Sequence, residues 1–195
     1  MIKKIYTKII EISKKKYALP FLLIVAFLES FIFPIPPDIF LIFLVLAYRN
    51  KAFYLAFYCT LLSVAGGILG YLIGSLFFDS LGQGILNYFN LNDKFLAFSE
   101  GYSEHGFLIV TMGGLTFVPY KLITISSGFV KMDFLQFIIA SVISRGARFF
   151  LVATLLYFFG KKIEEFLIKR FGLISAILFL IILIIYFIIK YLGFI

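Results

Sequence analysis

Tryptophan is absent from this chain, and cysteine and histidine occur once each. Charged residues fill only 14% of its 195 positions. Each shortage excludes something. With a single cysteine, Cys59, set in an apolar run, there is no disulfide framework and no thiolate cluster to hold a metal. With one histidine, His105, and one cysteine, the usual nucleophile triads and transition-metal sites lack their side chains. His105 reads as a solvated interfacial residue rather than a pH sensor. Neither a Gly-x-x-x-x-Gly-Lys phosphate loop nor a His-Glu-x-x-His pair occurs. The chain therefore does not read as an enzyme, and no metal or cofactor is expected. A soluble domain carries roughly 25% charge. With 63% hydrophobic residues, this chain cannot cover a water-facing surface, and it is equally unlike a disordered chain.

What charge there is leans basic. Eighteen Lys and Arg stand against ten Asp and Glu, a formal +8. Such an excess suits nucleic acid or anionic lipid; the apolar background favours lipid surfaces and not nucleic acid. The basic stretch at the start runs to Lys16, and no small-residue cleavage site follows, so it does not read as a removable signal.

The expected class is an all-α polytopic membrane protein. Residues 1–17 predict an amphipathic helix on the cytoplasmic face, with Ile2, Ile5, Ile9 and Ile12 on one side and lysines elsewhere. Residues 18–48 hold two apolar arms of 16 residues or fewer, broken by Pro34, Pro36 and Pro37. A spanning helix needs about 20 residues, so this reads as a re-entrant hairpin. Residues 52–78 are long enough to span and carry Gly66, Gly67, Gly70 and Gly74, three of them at every fourth position, as a helix-packing face. Residues 79–104 read as a surface segment of two short amphipathic helices joined near residues 90–92. A second hairpin, 106–130, breaks at Gly113-Gly114 and Pro119. A span follows over 134–160, then a charged connection and a C-terminal transmembrane helix over 172–193. Hairpin and span thus occur twice, in a weak inverted repeat that transporters also show.

Charge tests this layout. If each hairpin returns the chain to its side of entry, one side collects Lys3, Lys4, Lys8, Lys14, Lys15, Lys16, Arg49, Lys51, Lys161, Lys162, Lys169 and Arg170. The other side has Lys94, Lys131 and Lys190, together with Asp79, Asp93, Glu100, Glu104 and Asp133. The asymmetry matches the positive-inside rule and puts the N-terminus in the cytoplasm. A full two-helix span would give the same sidedness; arm length is what favours re-entry.

Five ionisable groups remain within the apolar segments: Glu29, Asp38, Lys121, Arg145 and Arg148. Each costs at least ~2.5–3.5 kcal/mol at mid-bilayer, so they should face one another or a wet cavity. Arg145 and Arg148, at i and i+3, share a helix face. Two negative and three positive groups leave one net positive charge, suited to one anionic head group. Arginines on one face can hold a phosphate through several charge-assisted bonds, and carboxylates there can take up protons. Tyr71 and Tyr120 either line such a cavity or pack as ordinary aromatics. The alternative is a closed ion-pair cluster that only holds the bundle together.

At these residues the chain resembles the DedA family, also called the SNARE-associated or VTT-domain family, and its YqaA-like branch in particular. The resemblance rests on Phe27-Leu28-Glu29-Ser30, Phe33-Pro34-Ile35-Pro36-Pro37-Asp38, Ser63-Val64-Ala65-Gly66-Gly67 with Gly70-Tyr71 and Gly74, Pro119-Tyr120-Lys121, Thr124, Gly128, Met132, Phe137 and Arg145-Gly146-Ala147-Arg148-Phe149-Phe150. It covers residues 18–160. It implies two re-entrant hairpins meeting within a bacterial cytoplasmic membrane, and movement of an anionic phospho-lipid such as undecaprenyl phosphate between leaflets, linked to the proton-motive force and membrane homeostasis. It implies proton coupling at Glu29 and Asp38 and head-group binding at Arg145 and Arg148. Many relatives carry further arginines in the second hairpin; here Phe117 replaces an expected proline and Lys121 is the only cation. Lysine is the weaker bidentate ligand, so another phospholipid stands beside the polyprenyl phosphate as cargo. The alternatives are a proton-coupled carrier of a small ion and a non-transporting membrane scaffold. Oligomeric state is not legible.

Overall fold

The computed structural model describes residues 2–33, 35–89, 92–116 and 119–191, and every element among them is helical. Helix α1 (Ile2–Ser13) is followed by α2 (Ala18–Glu29) and α3 (Asp38–Ala47). A 3-10 turn, Arg49–Lys51, leads into α4 (Ala52–Phe77). One π-helical turn, Phe78–Gly82, connects to α5 (Gln83–Tyr88). Then come α6 (Asn92–Leu115), α7 (Tyr120–Phe129) and α8 (Phe134–Tyr191).

Proline chemistry sets the breaks. Helix α2 ends at Glu29, and α3 starts at Asp38 with Pro37 as its N-cap residue. Pro119 precedes α7 with an extended ψ of 117°. Its fixed φ suits a helix entrance, and its missing N–H would be unpaired there anyway. Pro34 lies outside the described residues. With 12 and 10 residues, α2 and α3 are about 18 and 15 Å long, roughly half a hydrocarbon core. Among the described residues, Arg49–Ser80 and Phe134–Gly160 have the length and apolarity of membrane spans.

Two element boundaries differ from the sequence reading. The surface segment and second hairpin were to meet near residue 105, but α6 runs through that point for 24 residues. Its glycines are tolerated because packing uses them: a Cβ on Gly106 would meet the Met132 thioether, and one on Gly113 the Ile123 side chain. The charged connection after residue 160 does not separate two helices either. Helix α8 continues for 58 residues, and no proline interrupts its Lys, Glu, Leu and Ile through that stretch, all tolerated in helices. Arg49 nevertheless marks the place, its guanidinium donating from Nε to the Tyr157 carbonyl (2.5 Å) and from Nη2 to that of Phe158 (2.9 Å). Residues 192 and 193 of the expected last helix are outside the described residues. So are the side chains of residues 2–7, and with them Ile2 and Ile5. Of the other two isoleucines on that face, Ile9 is half-buried and Ile12 exposed.

Two apolar clusters form the interior. One gathers Leu22, Ala26, Leu41, Val45, Ala56 and Phe149 from α2, α3, α4 and α8. The other gathers Tyr71, Val110, Tyr120, Ile123 and Phe137 from α4, α6, α7 and α8. Outward, large apolar side chains such as Leu61, Leu76, Leu151 and Phe158 are exposed, as a hydrocarbon-facing surface requires.

Glycines set how closely α4 meets its neighbours. A Cβ on Gly66 would collide with the Phe27 carbonyl of α2, and one on Gly74 with the Ile125 carbonyl of α7. Gly70 faces Thr124, Gly67 faces the Tyr120 hydroxyl, and Gly128 returns the contact by seating on the Tyr71 carbonyl. Backbone obstacles do not swing aside as side chains do. We therefore expect Gly128→Ala and Gly74→Ala each to destabilise the protein by at least ~1–3 kcal/mol through overpacking. Gly101→Ala, with nothing within 4 Å of its added Cβ, should not be destabilising. Thermal unfolding in detergent would check this; equal midpoints for all three would contradict the packing role.

Candidate functional site

Between the two apolar clusters lies a layer of small hydroxyl residues and one arginine. Ser30, Ser63, Thr124 and Ser144 are fully buried, and Arg145 is 1% exposed. The five ionisable groups singled out from the sequence converge around this layer.

Arg145 is the deepest of them. Its Nη2 donates to Glu29 Oε2 at 3.0 Å and its Nε to Ser63 Oγ at 2.8 Å. Ser63 and Ser30 hydroxyls share a further bond of 2.9 Å. The guanidinium is flanked by the rings of Tyr120 and Phe149, 4.6 and 4.7 Å from their centroids. An aromatic face attracts a cation most strongly when water is excluded. This gives Arg145 a carboxylate, a hydroxyl and two rings, which together offset its desolvation. Glu29 supplies the charge from the last residue of α2.

Arg148, one turn further along α8, is more open. Its fork meets Asp38 with two bonds, Nε to Oδ1 at 3.1 Å and Nη2 to Oδ2 at 2.7 Å. The third nitrogen, Nη1, donates to the Thr116 carbonyl at 3.0 Å. Side-chain exposures of 21% for Arg148 and 16% for Asp38 contrast with 1% and 12% for Arg145 and Glu29. Asp38 is the first residue of α3, where the helix dipole favours a carboxylate. The Thr116 carbonyl lies just beyond α6, at the break before α7. One arginine therefore bridges the two broken regions.

Among the described residues, no carboxylate pairs with Lys121. Its Nζ donates to the Ile32 carbonyl at 3.4 Å, in the turn between α2 and α3. Thr124 ties the same turn to α7, its hydroxyl donating to the Ser30 carbonyl at 2.9 Å. Buried among these groups, the Tyr120 hydroxyl has no hydrogen-bond partner among the described residues.

All five charged candidates are thus brought together, with Pro37 and Pro119 at the helix starts that place Asp38 and Lys121. The four glycines of α4 lie alongside and set the approach of α2 and α7. Sequence reasoning missed the hydroxyl relay of Ser30 and Ser63, the bond from Thr124 to the Ser30 carbonyl, and the cation–ring contact of Phe149. Small hydroxyl residues inside apolar runs were the signal for the relay. The partners themselves are 33 to 94 residues apart, beyond the reach of any local pattern.

Broken short helices, long apolar spans and charges paired within the bundle define a helical integral membrane protein with a buried polar site. The chain matches the VTT domain family model over residues 35–158, and it belongs to that family, the DedA family. An uncharacterized protein of Haemophilus influenzae is 35% identical over 185 residues, covering 95% of this chain and 96% of that protein. Another, from Histophilus somni, is 32% identical over 186 residues, covering 95% and 97%. No solved structure matches.

The unequal burial of the two pairs predicts unequal costs. Glu29→Gln leaves Arg145 buried without a counter-charge and should destabilise by about 3–5 kcal/mol. Asp38→Asn leaves an arginine that is partly exposed and should cost about 1–2 kcal/mol, between the surface and buried limits. Equal losses in denaturant unfolding would mean that the two pairs are not differently solvated.

Proposed function

We propose that this protein is a lipid translocase, flippase- or scramblase-like, which moves an anionic phospho-lipid between membrane leaflets. Undecaprenyl phosphate and a phospholipid both carry the required head group. The α2–α3 and α6–α7 pairs act as re-entrant hairpins whose breaks meet at the polar site. The N-terminus faces the cytoplasm of a bacterial inner membrane, as the distribution of lysines favours.

The observation that carries this reading is the bidentate grip of Arg148 on Asp38 at a partly exposed position. A phosphate presents the same paired oxygens as a carboxylate. Asp38 therefore occupies the place a phosphate would take on the arginine fork. Protonation of Asp38 weakens its hold and frees Arg148 for the head group. Lys121, which pairs with no carboxylate among the described residues, adds the second cation, and Arg145 fixes the electrostatic floor with Glu29. Net charge at the site is +1 when both carboxylates are ionised and one unit higher when Asp38 is protonated, so a lipid phosphate moves it toward neutrality. Acyl chains trail along the exposed apolar faces of the bundle.

Coupling follows from this competition. If Asp38 must be protonated to release Arg148, phosphate binding takes up a proton, and head-group affinity rises as pH falls. A proton gradient then gives transport a direction.

The test is transbilayer lipid movement in liposomes holding the purified protein. Polyprenyl phosphate and a phosphatidyl lipid are compared, with and without a pH gradient. Arg148→Ala should abolish movement while the protein stays folded in the membrane. Asp38→Asn should retain movement but lose most of its dependence on the gradient. Wild-type rates in Arg148→Ala would remove the phosphate-ligand role. No movement of either lipid by folded wild-type protein would favour the second reading, a membrane scaffold. That reading draws on the fact that both arginines are already paired with carboxylates.

A further inference from the structure

A second basic site lies at the far end of α3 from Asp38. The ten residues of α3 put about 15 Å along the helix axis between the two. There, the connection between α1 and α2 meets the end of α3 and the start of α4 around a cavity of about 480 Å³. Lys14, Lys15, Lys16 and Lys51 line it. No carboxylate among the described residues lines it or pairs with these lysines. Arg49, although adjacent in sequence, is turned away onto the Tyr157 and Phe158 carbonyls.

The cavity is built rather than a loose spray of lysines. Tyr48 donates its hydroxyl to the Lys14 carbonyl at 3.0 Å, which staples the end of α3 to the lysine run. The Lys51 ammonium sits 5.6 Å from the centre of the Tyr48 ring, which orients it. Below the lysines, Leu19, Leu44 and Leu55 form an apolar floor. Exposed lysines with buried Leu44 and Leu55 behind them have the polarity order of a phospholipid, with phosphate outermost and glycerol and acyl carbons beneath.

We propose that this cavity holds the head group of a resident anionic phospholipid, separate from the lipid that is moved. Basic pockets between membrane helices bind such head groups by charge, each lysine near the surface contributing about 1 kcal/mol. The bound lipid bridges α1, α3 and α4 and fixes the basic face of the protein against its leaflet. The proposal does not depend on transport.

The experiment uses the full chain purified in neutral detergent. It reads retained lipid by mass spectrometry and the thermal midpoint. The probes are phosphatidylglycerol, phosphatidylcholine and soluble glycerol phosphate. Phosphatidylglycerol should be retained and raise the midpoint; the other two should do neither at equal concentration. K14Q/K51Q and K15Q/K16Q, tested separately, should each weaken retention about 25-fold, or about fivefold per lysine. Lys8 and Lys162 are exposed and do not line the cavity, so K8Q/K162Q, with the same charge removed, should retain lipid as the wild type does. Arg148→Ala should also keep it, even if transport is lost. Equal loss in K8Q/K162Q would reduce the effect to diffuse surface attraction and overturn the proposal. So would wild-type retention in both cavity variants, or glycerol phosphate competing as well as the lipid. Midpoints measured without lipid separate lost binding from lost folding.

Discussion

A guanidinium with almost no exposure, placed where the chain crosses a membrane, is the constraint on which the rest of the structure depends. Arg145 cannot be left alone there, and all but one of the groups that satisfy it come from other helices. Glu29 ends α2, Ser63 sits within α4, Tyr120 starts α7, and Phe149 belongs to α8 itself. Four helices must therefore converge on one point. Their convergence explains why the apolar interior is divided into two clusters: the polar layer lies between them. It also explains why α4 carries glycines where it does, since only bare backbone lets α2 and α7 come close enough to deliver Glu29 and Tyr120.

The two arginines look alike in sequence, spaced by three on the same face, but the fold gives them different surroundings. Arg145 is enclosed by rings and hydroxyls, and its carboxylate is nearly as enclosed. Arg148 holds its carboxylate by a fork at a partly exposed position, and its remaining nitrogen rests on a carbonyl at the break between α6 and α7. One pair serves as fixed architecture. The other has the geometry of a contact that a competing anion or a proton can exchange. That division is what connects the packing of the bundle to a proposed exchange chemistry.

Much of this was legible before any coordinates. An ionisable residue in an apolar segment is costly, so Glu29, Asp38, Lys121, Arg145 and Arg148 announced themselves, and their number implied that they would meet. Proline fixed the helix starts at Asp38 and Tyr120 for the same local reason in both places. What stayed hidden was of two kinds. Pairing is non-local: nothing near Ser30 in sequence says that its hydroxyl will meet Ser63 or its carbonyl Thr124. Helix continuity was misjudged because polar or glycine-containing stretches look like boundaries. Through residue 105 and after Gly160 the backbone stays helical, since no proline forbids it and, in α6, packed side chains fill the spaces beside the glycines.

The glycine contacts have a mechanical side. Where α4 meets α2 and α7, backbone lies directly on backbone, at Phe27, Ile125 and Tyr71. Such joints have no side chains to repack and so no alternative setting to click into; these three helices move as one block or not at all. Arg145 fastens α8 to that block through Glu29 and Ser63, so opening of the polar site falls to α3 and α6, which meet Arg148 through side chains that can change rotamer. The Arg148 fork, with Asp38 on one hand and Thr116 on the other, spans that adjustable seam. It is a latch set between a rigid frame and its movable parts.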